Sequence, residues 1–302
     1  MRKKAIRVFL TEGCNANCIN CFNKDARDNT EMNPDEFASL CEYLKISGFN
    51  VLKVMGGEPT THSQFQRMIS IAQNYFPRIS IFTNALNEKI ISFNPREDDT
   101  VVYNMNFESS LTEEKLLLLK KGKRTLKYQI SPETDINKIK NSILYWRTIS
   151  EKIKPSFTYD CTTDIFVNRK ILLSKTRELE EWLKSSNIHY GFDHKLPICF
   201  YKDMEEAVDV SYPSGRCNVE TSGLIDSRMN LRYCNQHHDI LIHLKENNSF
   251  IPWSIIKNYL LLEFYKLQIE ILESGCIKCV LYGSECNSGC WGKSTNRLPF
   301  LE

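Results

Sequence analysis

The sequence lacks the features that would place it in a membrane, on a nucleic acid or outside the cell. No apolar run approaches the ~20 residues of a membrane-spanning helix. The basic first residues, 1–7, are not followed by the apolar segment that a signal peptide requires. Its 39 lysines and arginines nearly balance its 37 aspartates and glutamates. The resulting net charge of +2 is too small to indicate a basic surface that binds nucleic acid or an acidic membrane.

Cysteine is the residue in excess, with twelve in 302 residues. Secreted disulfide scaffolds are small, whereas this chain, with 42% hydrophobic residues, can form its own core. Clustered cysteines in a cytosolic chain more often bind metal. We therefore expect a cytoplasmic, reducing compartment. The twelve positions are 14, 18, 21, 41, 161, 199, 217, 234, 276, 279, 286 and 290.

Short β-type runs alternate with helical patterns over the first ~185 residues. The predicted strands are 5–10, 51–55, 79–83, 101–107, 125–130 and 156–159. One helix begins at Asn33 as its cap, Thr112 caps another, and Cys41 lies on an apolar helix face as a core residue. Six such units predict a parallel sheet with helical crossovers, open or partly closed into a barrel.

The chain changes character after about residue 190. The segments 222–225 and 231–234 are predicted to pair as a hairpin, and Ser254 is predicted to cap a helix over 255–273. We therefore expect two domains, 1–190 and 191–302, of which the second is small and rich in cysteine.

Two motifs follow the first two predicted strands. Cys14, Cys18 and Cys21 come directly after strand one. Three thiolates can bind a four-iron cluster and leave one iron open, and a zinc site completed by a distant ligand is the alternative. Strand two ends in Gly56, Gly57, Glu58 and Pro59. Glycines there let the backbone approach a ligand closely, although a tight turn into a helix would also use them.

In this order the two motifs resemble the radical S-adenosylmethionine (radical SAM) superfamily. The resemblance rests on C-x3-C-x2-C at 14–21 and Gly-Gly-Glu-Pro at 56–59, and it covers roughly residues 5–185. It implies an α/β fold, a partial (β/α)6 TIM-like barrel, with a [4Fe–4S] cluster on the three cysteines. The fourth iron would chelate S-adenosylmethionine, and one electron from a flavodoxin- or ferredoxin-like donor would cleave it. The resulting 5′-deoxyadenosyl radical would abstract a substrate hydrogen.

Further cofactor contacts are implied by the same resemblance. The family often has an aromatic residue just before the third cysteine, near the adenine. This chain has Asn20 there, and Phe22 follows the cysteine. Thr83 and Asn84 resemble a Thr-Asn-Gly segment at the end of strand three, with Ala85 in place of the glycine.

Polar residues and one cysteine also follow the later strands. Glu108 and Ser131 occupy positions where such enzymes place ribose and carboxylate contacts. Cys161 is a candidate hydrogen-atom donor to a substrate radical, as in radical epimerases, and Asp160 or Asp164 is a candidate base for an oxidation. The alternative for each is a loop residue without a chemical role.

Six cysteines form a C-terminal group that resembles the SPASM and Twitch extensions of radical SAM enzymes. These are Cys217, Cys234, Cys276, Cys279, Cys286 and Cys290. Twitch domains hold one auxiliary [4Fe–4S] cluster and SPASM domains hold two. Six cysteines exceed the four ligands of one cluster and fall short of the eight that would close two. Either one cluster takes four of them, or Cys217, Cys234 and Cys290 hold one cluster with an added ligand and Cys276, Cys279 and Cys286 hold a second, open one. The added ligand would be Cys199, a histidine (His237 or His238) or an acidic residue. A structural zinc knuckle is the alternative.

The resemblance implies a reaction class and leaves two substrate classes. One is modification of a peptide or protein side chain by crosslinking, epimerisation or oxidation. The other is oxidation or epimerisation of a small polar molecule such as an aminocyclitol or sugar. Strand one begins near residue 5, so we expect any leader-peptide recognition to come from a separate protein. A non-catalytic zinc or iron–sulfur binding module is the alternative of a different class.

Overall fold

Six parallel strands in chain order form the centre of one sheet, as the sequence predicted. The structure, a computed structural model, describes residues 4–18, 21, 23, 27–106, 111–118, 122–160, 167–193, 223–234 and 237–273. The strands are β1 (Ala5–Phe9), β2 (Val51–Met55), β3 (Arg78–Thr83), β4 (Thr100–Asn104), β5 (Lys123–Ile130) and β6 (Ile153–Tyr159). A short strand, β7 (Gly191–Phe192), continues the sheet in parallel beside β6.

Helices connect these strands and cover one face of the sheet. They are α1 (Pro34–Ile46), α2 (Phe65–Tyr75), α3 (Glu113–Leu118), α4 (Ile136–Ile149) and α5 (Arg169–Ser185), with 3-10 turns at Pro59–Thr61 and Glu88–Ser92. The predicted caps are confirmed. The Asn33 side chain accepts from the Asp35 and Glu36 amides at the start of α1, and the Thr112 hydroxyl accepts from the Lys115 amide. Cys41 is fully buried on α1, as predicted.

The two faces of the sheet differ in composition. On β1, Ile6 and Val8 are fully buried in the main core, while Arg7 between them faces the other side. On β2, Leu52 and Val54 are equally buried and alternate with Lys53. Because side chains alternate across a strand, the helices cover an apolar face and leave a second, partly charged face.

The C-terminal part of the described chain joins the same sheet at β1. The predicted hairpin is confirmed: β8 (Leu224–Ile225) pairs antiparallel with β9 (Asn230–Cys234). The sheet then ends at β10 (His237–His243). β8 also pairs in parallel with β1, which the sequence did not predict. A separate two-stranded sheet is formed by β11 (Lys245–Glu246) and β12 (Ser249–Phe250).

The last described helix, α6 (Trp253–Glu273), begins before its predicted cap. The prediction that Ser254 caps it is wrong, because Ser254 lies inside the first turn. The Pro252 carbonyl instead accepts from the Ile255 and Ile256 amides at 2.9 and 3.3 Å. Strand β4 is also shorter than predicted and ends at Asn104. None of the helices within the described ranges is long and apolar enough to cross a membrane.

Candidate functional site

The cysteine loop leaves the sheet at the end of β1 and returns to the same place. The Met32 amide donates to the Leu10 carbonyl at 2.8 Å, and the Glu12 amide donates to the Thr30 carbonyl at 3.0 Å. An isolated antiparallel bridge joins Thr11 to Glu31 between these bonds. The base of the loop is therefore closed by backbone pairing, so the segment between is held at the carboxyl edge of the sheet.

Three unpaired thiols lie on this loop. Cys14, Cys18 and Cys21 are all free and partly exposed. Burial raises the pKa of Cys14 and of Cys18 above the usual value for a thiol, and the charges of neighbouring cysteines act in the same direction. The thiols are thus close enough to influence one another's ionisation.

A positive group and backbone amides surround these sulfurs. The Asn23 amide donates to the Cys21 sulfur at 3.4 Å, and the Ala16 amide acts on Cys14. The Arg27 guanidinium donates to the Ala16 carbonyl at 2.5 Å and forms a hydrogen bond with Cys21. Its charge also acts on Cys14 and Cys18. These donors and the charge of Arg27 oppose the effect of burial and favour thiolates, which are the form that binds metal.

This donor set fits a [4Fe–4S] cluster with three protein ligands. Three thiols from one short loop match the ligand number and ligand type, and hydrogen bonds to the sulfurs are a feature of such sites. No three His, Cys, Asp or Glu side chains among the described residues are gathered to hold a single metal ion. Cluster ligands need not meet that condition, because each binds a different iron.

The two glycines after β2 lie against the base of the cysteine loop. The Gly57 amide donates to the Thr11 carbonyl and the Glu58 amide donates to the Gly13 carbonyl, both at 2.9 Å. A Cβ on Gly56 would lie 2.4 Å from the Thr11 oxygen, and one on Gly57 would lie 2.2 Å from the Gly13 oxygen. Gly56 also has φ +153°. The sequence explained these glycines by the approach of a ligand, and the close approach seen here is to the backbone of the cysteine loop.

The Glu58 side chain joins the ends of β2 and β3. Its Oε1 accepts from the Thr60 amide and hydroxyl at 3.2 and 2.6 Å and from the Thr83 hydroxyl at 2.8 Å. Its Oε2 accepts from the Asn84 amide at 2.7 Å. Burial raises the pKa of Glu58, while these hydrogen bonds act in the opposite direction. Both carboxylate oxygens are therefore used to position strand ends, and the predicted contact of Glu58 with a cofactor stays a prediction.

Asn84 continues this network into the cysteine loop. Its side-chain nitrogen donates to the Asn15 oxygen at 2.9 Å, and its own oxygen accepts from the Leu86 amide at 2.9 Å. The next residue, Ala85, has φ +58°. That left-handed conformation favours glycine, which explains why a Thr-Asn-Gly segment suits this turn. The cysteine loop is thus held by the ends of β1, β2 and β3.

A second buried carboxylate, which the sequence analysis missed, ties the loop to the C-terminal hairpin. Glu12 is fully buried and accepts from the Asn23 side chain at 2.9 Å. Its other oxygen accepts from the Ser227 hydroxyl at 3.2 Å and the Ser227 amide at 3.4 Å. Glu12 lies directly after strand β1 and two residues before Cys14. That position is the sequence feature that could have identified it as part of the site.

Two other predicted residues lie within the described chain, at the ends of later strands. The Ser131 amide donates to the Thr134 hydroxyl at 2.8 Å, within the turn after β5. Asp160 is buried directly after β6, and its amide donates to the Ile130 carbonyl at 2.9 Å. Both lie at the carboxyl edge, and their chemical roles stay predictions.

Most of the remaining predicted positions lie outside the described residues. These are Asn20, Phe22, Glu108, Cys161, Asp164, Cys199, Cys217, Cys276, Cys279, Cys286 and Cys290. Cys234 is the last residue of β9, in register with His237 on β10. The predicted auxiliary cluster ligands therefore stay predictions.

We predict that Gly57→Ala prevents the cysteine loop from holding iron. A methyl group at Gly57 would lie 2.2 Å from the Gly13 oxygen, so the backbone must move, at about 1–3 kcal/mol for overpacking. Iron and sulfide per chain after anaerobic reconstitution should fall well below wild type. Gly191→Ala is the control, because a Cβ there meets only the end of Lys154 at 3.8 Å. Equal iron in the two variants would contradict the assigned packing role.

We also predict that Glu58→Gln destabilises the protein before any cofactor is bound. If the glutamine oxygen keeps the hydrogen bonds from Thr60 and Thr83, the glutamine NH2 group faces the Asn84 N–H. Both groups are donors, so the Asn84 N–H loses its acceptor. Such a loss should lower the free energy of unfolding by about 1–3 kcal/mol, measured by urea unfolding of the apoprotein. Glu42→Gln, on the exposed face of α1, should have little effect. Equal stability of the two variants would show that Glu58 does not hold β3.

A sequence model described as the Radical SAM superfamily matches residues 8–135. Among curated proteins, the chain is 29% identical over 89 residues to a "Probable GTP 3′,8-cyclase" of Methanococcus aeolicus, covering 28% of this chain and 30% of that protein. It is 30% identical over 80 residues to the protein of the same description from Pyrococcus abyssi, covering 26% of each. The chain thus spans less than a third of the length of these relatives.

Solved structures share the fold over much more of the chain. Native anSMEcpe with bound AdoMet and Kp18Cys peptide has a TM-score of 0.67 at 15% identity, covering 95% of this chain and 88% of that one. Streptococcus suis SuiB bound to S-adenosylmethionine has a TM-score of 0.60 at 12% identity, covering 85% and 64%. At these identities the likeness shows the fold. With the family match, the cysteine loop and the Gly-Gly-Glu-Pro turn, the chain carries a radical SAM domain over residues 8–135.

Proposed function

We propose that this chain is a radical SAM enzyme that reductively cleaves S-adenosylmethionine and removes a hydrogen atom from a peptide or protein substrate. The observation that carries the proposal is the packing of the cysteine loop on the Gly56–Gly57 turn. It gathers three free thiols at the carboxyl edge of a parallel sheet. Active sites of α/β folds lie at that edge.

Cys14, Cys18 and Cys21 would hold the [4Fe–4S] cluster. When bound, the cluster and S-adenosylmethionine supply one-electron chemistry, cleaving the sulfonium to methionine and a 5′-deoxyadenosyl fragment that takes the substrate hydrogen. The Arg27 guanidinium lies beside the thiols, where a positive charge stabilises an anionic cluster. The Gly56–Gly57 turn is also proposed to contact the polar end of S-adenosylmethionine, through groups other than the Gly57 and Glu58 amides, which donate to the cysteine loop.

The buried carboxylates keep this edge rigid. Glu58 fixes the end of β3 to the Gly-Gly-Glu-Pro turn, and Glu12 fixes the cysteine loop to the hairpin of β8 and β9. A site that controls a radical must hold its groups in one arrangement and exclude water. Asp160 lies buried at the same edge and is proposed, with Cys161 and Asp164, as a candidate donor or base for the step after hydrogen removal.

A peptide or protein substrate is supported by the two structural neighbours. SuiB has been solved bound to the precursor peptide SuiA, and anSMEcpe has been solved with a bound peptide. Both share this fold over most of the chain. The proposed outcome is a side-chain crosslink, epimerisation or oxidation.

The C-terminal cysteines are proposed to hold one or two auxiliary [4Fe–4S] clusters. Residues 191–302 would form the auxiliary domain and residues 1–190 the radical SAM domain. Support comes from the spacing of the cysteines and from β9, which carries Cys234 at its end. Since β8 pairs with β1, such a domain would begin as an extension of the sheet rather than as a detached unit.

The direct test is formation of 5′-deoxyadenosine by anaerobically reconstituted protein with a strong reductant. We expect wild type to release 5′-deoxyadenosine and methionine, and the combined Cys14→Ala, Cys18→Ala, Cys21→Ala variant to release neither. Cys41→Ala, which removes a thiol from the apolar core, should keep the activity. Bound zinc without cleavage would refute the enzyme proposal in favour of a binding module.

The substrate class is tested by the same assay with added extract fractions. A size-selected peptide fraction should raise 5′-deoxyadenosine formation above the substrate-free rate. The effect should disappear when the fraction is digested with protease and the protease removed. Stimulation by a protease-resistant fraction of small metabolites would overturn the peptide assignment and favour a small polar substrate.

A further inference from the structure

The face of the sheet that the helices do not cover carries several basic side chains, three of them at the middle of their strands. Arg7, Lys53 and Lys127 are on β1, β2 and β5. Each is flanked on its strand by residues that are buried in the main core against the helices, for Lys127 by Leu126 and Tyr128. Because neighbouring side chains on a strand point to opposite faces, the three basic groups share the other face. Arg7 and Lys53 are also in register on adjacent strands.

Contacts across several strands show that this face is concave. The Lys127 Nζ lies 2.8 Å from the Asp193 Oδ2, just after β7, two strands away. The same nitrogen lies 5.8 Å from the ring centre of Phe82 on β3, two strands away in the other direction. A long lysine side chain could reach that far on a flat sheet, but Asp193 also acts on Lys53 of β2. On a flat sheet these strands would be five spacings, or about 24 Å, apart. The sheet therefore curves around the basic groups, as in a partial barrel.

Among the described residues, the charged groups that act on Lys53 are two cations and one carboxylate. Burial lowers the pKa of Lys53 to about 8, and the charges of Arg7 and Lys127 act in the same direction. Asp193 opposes them. Lys53 is thus a partly desolvated ammonium acted on by two cations and one carboxylate. An added negative group would stabilise its charged form.

The basic layer lies directly below the proposed reaction site. Lys53 precedes Gly56 by three residues on the same strand, and a strand rises about 3.3 Å per residue. The layer is thus roughly 10 Å below the turn that packs against the cysteine loop. A smaller apolar cluster of Phe9, Met55 and Leu224, with Phe82 beside it, lies on this face between the two levels. A substrate reaching into the cavity would pass that cluster and meet the cations with its far end.

We propose that Arg7, Lys53 and Lys127 form a binding site for an anionic group of the substrate, a carboxylate or a phosphoryl group. The statement that the bound anion belongs to a substrate rests on the proposed function. The anion site itself does not. An anionic anchor some 10 Å from the reacting end would fix the position of the substrate below the radical site. For a peptide, the group would be an acidic side chain or the terminal carboxylate.

The test measures anion binding to the reconstituted protein by calorimetry, with pyrophosphate and citrate as the probes. We expect one of them to bind, and Lys53→Gln and Lys127→Gln each to weaken that binding at least about tenfold, or about 1.4 kcal/mol, because each removes a charged hydrogen-bond donor. Lys127→Arg should restore most of the affinity lost in Lys127→Gln. The control is Lys123→Gln, on the same strand and face but at the exposed amino end beside Asp98, and it should bind as wild type.

Preference for pyrophosphate would identify a phosphoryl group and preference for citrate a carboxylate, and either supports the site. Absence of binding by wild type, or equal affinities in wild type, Lys53→Gln and Lys127→Gln, would overturn it. Thermal melts of each variant separate lost binding from lost folding. The binding measurement does not depend on catalysis. If the wild-type protein forms no 5′-deoxyadenosine, the proposed function is refuted. If the lysine variants bind the anion as tightly as wild type, only this inference is refuted.

Discussion

The backbone contact between the Gly56–Gly57 turn and residues 11–13 is the constraint on which the site depends. Side chains on these glycines would overlap the Thr11 and Gly13 oxygens, so the ends of β1 and β2 approach more closely than other residues permit. Two hydrogen bonds close this contact. Glu58 and Asn84 then attach the end of β3 to the same point. The thiol-bearing loop is in this way supported by three adjacent strands rather than by its own sequence.

Curvature of the sheet divides the molecule into regions with different chemistry. The convex face is covered by helices and is almost entirely apolar. The concave face carries polar and charged groups that are partly removed from water, including Lys53 and Lys127. Glu12 connects the cysteine loop to the hairpin of β8 and β9, since it binds Asn23 and Ser227. Arg228 of the hairpin also bonds Asp28 and Thr30 at the base of the loop.

Local patterns predicted much of this architecture. Three correct predictions depend only on residues close in sequence: the alternation on β1 and β2, the Asn33 cap, and the hairpin of β8 and β9. The sequence alone was therefore sufficient to predict them. The cysteine and glycine motifs are also short local patterns, and the structure places both at the carboxyl edge of the sheet. Two contacts were not predicted: the pairing of β8 with β1 and the hydrogen bond from Ser227 to Glu12. Each joins residues more than 200 positions apart, which local patterns cannot relate.

The remaining differences have physical causes of the same kind. Ser254 was a reasonable cap by composition, but the Pro252 carbonyl accepts the first helical bonds two residues earlier. Arg7 and Lys53 are in register on adjacent strands. Lys127 lies three strands from Lys53, and curvature of the sheet, which local patterns do not show, brings it into the same layer. The contact of Gly57 with Gly13 was not predicted, because the two residues are 44 positions apart in sequence. The predicted contact of the glycines with the cofactor stays a prediction.

Electron paramagnetic resonance of the reduced, reconstituted protein tests the central claim most directly. If the loop thiols hold a cluster with an open iron, adding S-adenosylmethionine will change the signal of the wild-type protein. In a Cys18→Ala variant no signal will respond to S-adenosylmethionine, while any signal from auxiliary clusters will remain. A response to S-adenosylmethionine that persists after Cys18→Ala would place the cofactor elsewhere and contradict the account.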